Sequence, residues 1–250
     1  MPKVLKGNDQ GPDVTLLQNL LVQRGYAVAV DGAFGPPTFR AVRAFQSQNL
    51  DAHGQPLVVD GAVGPITWWS LTHPKPAIQT PAAVDFHQAP PEEAGGGAAG
   101  RIALAAASGE LTAGAGEEGG NNSGPWVRKY LNDAAPEGSS WCTAFVSWCY
   151  ARNAAGIPFP YTVGARALLR EFKARGWAKE PASGYAPRPG DVVVWWRVQL
   201  AGWLGHAGLV YELRDGMLYT IEGNRSPRVQ GFSYVFSRMD KLLGFGHVPA

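Results

Sequence analysis

Cysteine is scarce in this chain. Two residues, Cys142 and Cys149, stand among 250, so a disulfide framework is excluded. If both lie on one helix they are about 10 Å apart, too far to bridge. Such usage fits a protein folded in a reducing cytosol. A dominant charge is also lacking. Twenty-two basic residues against 20 acidic ones leave a net charge of +2, which gives no basis for nucleic-acid binding. No apolar run approaches the length of a membrane span, so no membrane insertion is expected. The stretch Met1-Pro2-Lys3-Val4-Leu5-Lys6-Gly7-Asn8-Asp9 has no apolar signal core, so synthesis in the cytoplasm without a signal peptide is expected. C-x-x-C and H-x-x-x-H pairs are missing, so neither metal nor cofactor is expected.

What is present centres on Ser139-Ser140-Trp141-Cys142-Thr143-Ala144-Phe145-Val146-Ser147-Trp148-Cys149-Tyr150. The spacing predicts a helix capped by Ser139 or Ser140, with Cys142, Phe145, Val146 and Cys149 on one buried apolar face. Cys142 falls in the first turn, where the aligned peptide dipoles favour a thiolate. Cys149 lies two turns inside and reads as a small core residue. Downstream, Gly205-His206-Ala207-Gly208-Leu209-Val210-Tyr211 is strand-like, and after a turn comes Tyr219-Thr220-Ile221-Glu222-Gly223-Asn224. A nucleophile, a base, and a carboxylate or amide to orient the base satisfy the logic of a catalytic triad.

The W-C-T-A-F-V-S-W block, the Pro189-Gly190-Asp191 start of a strand, G-H-A-G-L-V and I-E-G-N follow in an order that resembles the CHAP family, over roughly residues 101–250. These are cysteine/histidine-dependent amidohydrolases and peptidases of papain-like fold. The resemblance implies Cys142 as nucleophile, His206 as base and Glu222 as the third catalytic residue, with Asn224 supporting. Helices come first and strands afterwards, which predicts an α+β domain. Strands are expected at 192–196, 206–213, 217–222, 232–236 and 242–248.

Strand parity bears on the same assignment. Pairing Arg214 with Met217 across a two-residue Asp215-Gly216 loop would turn Glu222 to the opposite sheet face from His206. A three-residue loop pairs Leu213 with Met217 instead. His206 then faces Asn224, and Gly208 faces Glu222, all on one side. In that register either Asn224 or Glu222 could hold the imidazole. Gly208 leaves room for Glu222 to lean toward the ring, and Gly216 is expected to have a positive φ. His247 also follows a glycine but reads as structural, and Asp191 as fixing the turn before its strand.

The first 73 residues carry a repeat. Val30-Asp31-Gly32-Ala33-Phe34-Gly35-Pro36-Pro37-Thr38-Phe39 recurs as Val59-Asp60-Gly61-Ala62-Val63-Gly64-Pro65-Ile66-Thr67-Trp68. Asp-Gly makes a turn, and proline then starts a helix at its first position. An earlier helix opens at Gly11-Pro12-Asp13, buries Val14, Leu17, Leu20 and Leu21, and ends at Gly25. With G-P-D-V-x-x-L-Q, G-Y and two D-G-x-x-G-P-x-T turns, this mainly helical segment resembles the short helical type of peptidoglycan-binding domain. The stretch from Asp51 to Pro56 departs from that pattern as an insertion. Asp31, Asp60, Thr38 and Thr67 read as turn and cap residues. Trp68 and Trp69 cannot both face the core of a short helix, so one is a candidate for stacking on sugar.

Residues 74–100, with Pro74, Pro76, Pro81, Pro90, Pro91 and Gly95-Gly96-Gly97, read as a linker, in which Val84-Asp85-Phe86-His87 is a possible local dock. A helix follows over 101–115. The loop 116–125 contains Asn121 and Asn122, assigned to substrate by the family resemblance. Trp141, Trp195 and Trp203 complete the expected substrate-lining set. The joint expectation is a monomeric two-domain hydrolase of bacterial peptidoglycan that cleaves an amide in the peptide moiety, reaching the wall by holin-type release or export. A non-catalytic wall binder and a thiol acyltransferase are the rival readings.

Overall fold

The computed structural model describes residues 4–24, 26, 28–49, 51–52, 57–73, 84–197, 200–239 and 241–249. Gly25, residues 53–56 of the insertion and residues 74–83 of the expected linker, with Pro74, Pro76 and Pro81, lie outside them. The chain divides into two compact units. One is Met1–Thr80 with Arg225–Pro227, and the other is Pro81–Asn224 with Arg228–Ala250.

In the first unit, α1 (Pro12–Gln23), α2 (Pro36–Gln48) and α3 (Pro65–Thr72) each begin with proline directly after a glycine. Proline's fixed φ suits the first helical position, where its missing N–H costs nothing. Val14, Leu17, Leu21, Phe45, Val63 and Trp68 form the core. Both repeated turns are pinned by a buried glutamine that sequence reasoning overlooked. Gln18 Nε2 donates to Asp31 Oδ1 (2.7 Å) and lies 3.0 Å from Thr38 Oγ1, while its Oε1 accepts the Gly32 N–H (2.8 Å). Gln46 repeats this with Asp60 (3.0 Å), Thr67 (3.3 Å) and the Gly61 N–H (2.9 Å). Asp31, Asp60, Thr38 and Thr67 are therefore turn residues. A buried amide with every polar atom engaged fixes each turn more firmly than turn propensity alone.

The second unit contains α4 (Ala98–Thr112), α5 (Pro125–Leu131), α6 (Cys142–Tyr150) and α7 (Ala165–Ala174). Its sheet comprises β1 (Ala178–Lys179), β2 (Val192–Trp196), β3 (Gly205–Arg214), β4 (Met217–Glu222), β5 (Gln230–Val235) and β6 (Leu242–Gly246). The order is β1-β6-β2-β3-β4-β5, antiparallel throughout. This is the expected α+β class. Val192, Val194, Ala207, Leu209 and Ile221 belong to the core shared with the helices. Val193, Trp195, Val210, Leu218, Tyr234 and Phe245 form a second cluster, as the alternation of strand side chains requires. Helix α6 is buried on almost every side, with only Trp148 partly exposed. Its polar side chains need partners for that reason, and Ser147 Oγ donates to the Thr162 carbonyl (2.8 Å).

Residues 84–100, expected as linker, are built into this unit. Phe86 packs edge-on against Tyr211 with ring centroids 5.0 Å apart, and it fills the space over Gly231, where a Cβ would lie 2.3 Å from its ring. Arg101 donates to the carbonyls of Pro90 (2.6 Å) and Gly95 (2.6 Å). Helix α4 consequently begins at Ala98 rather than Arg101. The short edge strand β1 carries no signal of its own, because two residues cannot display a period.

The β3–β4 hairpin reaches the expected register by another route. Its loop has two residues, Asp215 (φ 51°) and Gly216 (φ 73°), and Arg214 pairs with Met217. A bulge at Tyr211 then shifts the pairing by one, giving Val210 opposite Thr220 and Leu209 opposite Ile221. Continued one step, this register sets Gly208 across from Glu222. The extra residue sits in the strand rather than in the turn.

Candidate active site

Cys142 is the first residue of α6. The residue before it, Trp141, occupies the capping position, and no side-chain hydrogen bond caps the helix. The expected serine caps are not made: Trp141 stands between the serines and the helix, and the Ser139 N–H closes a turn on the Pro136 carbonyl (3.2 Å). The Cys142 sulfur lies 3.7 Å from Thr143 Oγ1, and the His206 ring and the Ala207 N–H act on it from the start of β3. Burial pushes its pKa up. The hydrogen bond and charge of His206, the charge of Arg197 and the Ala207 N–H more than offset that push, and the value falls from 9.0 to about 6.

His206 is 3 % exposed and Glu222 is fully buried. Nε2 of the ring lies 2.6 Å from Glu222 Oε2. The other carboxylate oxygen accepts the hydroxyls of Thr220 (2.6 Å) and Tyr234. Nδ1 lies 2.8 Å from Arg197 Nη2. A guanidinium only donates, so Nδ1 accepts and Nε2 carries the proton given to Glu222. When the ring is neutral, both neighbours therefore select the same tautomer. Nε2 is held by Glu222 and Nδ1 by Arg197, so both ring nitrogens are engaged. Trp195, directly across β2 from His206, stacks on the imidazole with centroids 5.5 Å apart and planes 27° from parallel. At position 208 a Cβ would lie 2.6 Å from Glu222 Cγ, so only glycine admits the carboxylate here.

The other expected residues part company. Asn224 is buried in the bend after β4, in left-handed conformation with φ 56°. Trp141 is wholly buried. It stacks on Tyr130 (5.4 Å), donates its indole N–H to Glu117 (3.2 Å) and fills the gap left by Gly223, so it is a core residue and not a substrate contact. Trp68 is likewise core at 5 % exposure, whereas the half-buried Trp69 stacks on His73 (4.6 Å, 12°). Trp195 clamps the imidazole at 6 % exposure instead of lining an open groove, and Trp203 stands 84 % exposed. Asn121 is exposed, while Asn122 braces the turn before α6 through Nδ2 on the Gly138 carbonyl (3.1 Å). His247 Nδ1 meets Asp191 (2.8 Å), which also takes the Tyr185 hydroxyl (2.7 Å), a bracket at the start of β2.

Sequence reasoning missed Arg197, Thr220 and Tyr234. Strand parity would have found Thr220, two residues before Glu222 on the same face. Arg197 lies just past a strand end, where no periodicity operates. Among the described residues no group of three or more acidic, histidine or cysteine side chains is placed to hold a metal, and no helix is long and apolar enough to cross a membrane.

Comparison with known proteins adds families to this geometry. A crystal structure of the Burkholderia AP3 phage endolysin matches at 29 % identity with a TM-score of 0.26, over 49 % of this chain and 41 % of that one, so the chain spans well under half of that protein's length. Residues 134–224, which hold Cys142, His206 and Glu222, match the CHAP domain family, and residues 10–71, with both repeated turns, match a peptidoglycan binding domain family. The chain thus carries, in order, a segment similar to the peptidoglycan binding domain family and a segment similar to the CHAP domain family.

Proposed function

We propose that the protein is a peptidoglycan hydrolase that cleaves an amide bond in the peptide moiety through Cys142. One observation carries the reading: the helix that begins with Cys142 packs on the strand that holds His206, whose Nε2 is engaged by the buried Glu222 carboxylate. His206 takes the proton of Cys142, the thiolate attacks the amide carbonyl, and the Cys142 N–H helps hold the developing oxyanion. As the tetrahedral intermediate collapses, the imidazolium of His206 protonates the leaving amine and a thioester remains. Water, deprotonated by His206, then attacks the thioester. The acyl product departs as a carboxylic acid and the thiol is restored. Glu222 supports the positive ring during both steps and keeps its orientation, with Asn224 a supporting neighbour.

The first unit serves as the wall-binding module, with the accessible face of Trp69 offered to sugar. Tethering a binding module to a catalytic one raises the local substrate concentration without any new contact. The slightly basic chain suits an anionic wall. A monomer acting as a phage-type lysin or a delivered antibacterial effector fits this arrangement. Mass spectrometry of fragments released from purified wall tests the reading. New muropeptides with a free stem amine are expected. Release at the muramoyl–alanine bond marks an amidase, and release within the stem or cross-bridge marks an endopeptidase. A wall that binds the protein but yields no fragments would overturn the proposal.

A further inference from the structure

Arg197 holds a place that the three-residue mechanism does not use. It stands immediately past the end of β2, half-buried, with Nη2 2.8 Å from His206 Nδ1. Its bond occupies the Nδ1 lone pair. Glu222 occupies Nε2 at 2.6 Å. With both nitrogens engaged, the ring cannot take up a proton from the thiol until one bond opens. Glu222 is fully buried and is held by the Thr220 and Tyr234 hydroxyls, and Trp195 stacks on the ring. The bond that yields is therefore the one to Arg197. A guanidinium leaves a neutral imidazole for a better acceptor, and a carboxylate, which it can grip with two parallel charge-assisted bonds, is such an acceptor. The charge of Arg197 also acts on the Cys142 thiol. A carboxylate docked on Arg197 therefore lies beside the His206 ring.

We propose that Arg197 is the docking residue for a free carboxylate carried by the peptide substrate near its scissile amide, and that this carboxylate draws the guanidinium off Nδ1 and frees the base. Naming the ligand as a peptide rests on the hydrolase reading. Placing a carboxylate site beside His206 rests on the position of Arg197, and the experiment separates the two.

The first arm compares alkylation of Cys142 by iodoacetate and by iodoacetamide. In each case a sulfur–carbon bond forms and iodide leaves, but only iodoacetate carries a carboxylate. The wild type should favour iodoacetate by about tenfold over the same ratio for a free thiol. Arg197→Gln should lose that preference and Arg197→Lys should keep part of it, because the lysine retains the charge without the planar fork. The second arm compares kcat/KM for a stem peptide with its carboxylate free and for the same peptide as carboxamide. The wild type should discriminate and Arg197→Gln should bring the ratio toward one. If wild type and Arg197→Gln share one iodoacetate ratio, the carboxylate site is overturned even though wall is still cleaved. If the preference is present and lost as stated while no peptide is cleaved, the site stands and the hydrolase reading falls.

Discussion

The two ends of α6 carry the same side chain in opposite states. Cys142 and Cys149 are both buried, seven residues apart on one helix. Burial raises the pKa of both. At Cys149 it prevails, helped by the charge of Glu110, and the thiol stays well above its ordinary range. At Cys142 the His206 ring, Arg197 and the Ala207 N–H reverse it. Neither burial nor helix makes a nucleophile; what the neighbouring strand presents to the sulfur does. A second pair teaches the same lesson. His247–Asp191 and His206–Glu222 are both close histidine–carboxylate contacts, at 2.8 and 2.6 Å. The second acts on the acidity of a thiol, whereas the first serves to fix a turn.

Substitution at the two sulfurs should separate them most strongly. Cys142→Ala should lower lysis of a wall suspension by roughly four orders of magnitude, since it removes the covalent route. Cys149→Ala should leave the rate within about twofold and cost about 1 kcal/mol of stability by denaturant unfolding, the usual result of a small cavity. Equal losses in the two variants would erase the distinction between the helix ends.

A smaller effect is expected from Glu222→Gln. The neutral amide withdraws the charge that favours a positive His206 ring, so Cys142 should become less acidic and turnover should fall about 10²-fold, with the fold retained. Activity equal to that of the wild type would show that Glu222 has no part in orienting the base.

The mildest test is chemical. Alkylation of Cys142 by iodoacetamide should be constant above its pKa of about 6 and fall tenfold per pH unit below it, because the thiolate is the reactive form. Cys149 should remain unreactive across that range and become reactive only in denaturant, where both thiols return to ordinary acidity. A Cys142 profile with its midpoint near 9 would mean that the strand does not act on the sulfur.

Much of this was legible in the sequence where local chemistry decides. Proline after glycine set the starts of α1, α2 and α3, and runs of apolar, β-branched and aromatic residues placed β2 and β4 at their observed bounds. The need for Glu222 on the same face as His206 demanded one extra residue in the hairpin. Parity counts that residue but cannot say where it sits. It sits at Tyr211, whose hydroxyl lies 2.9 Å from the carbonyls of both Asp85 and Gln88, partners more than 120 residues away. The tryptophans were less legible, because an aromatic ring suits a core and a groove equally well. Trp141 was placed in the core by Tyr130 and Gly223, both remote in sequence.

By itself the sequence determined the repeated turns, the helix starts and the α+β order. Those features depend on backbone preference and on residues within a few positions of one another. Only the tertiary structure decided the acidity of Cys142, the tautomer of His206 and the position of Arg197 on its Nδ1. Each of these is an electrostatic property of groups that α6, β2, β3 and β4 bring within a few ångströms, and electrostatic effects follow distance and burial in space rather than separation along the chain.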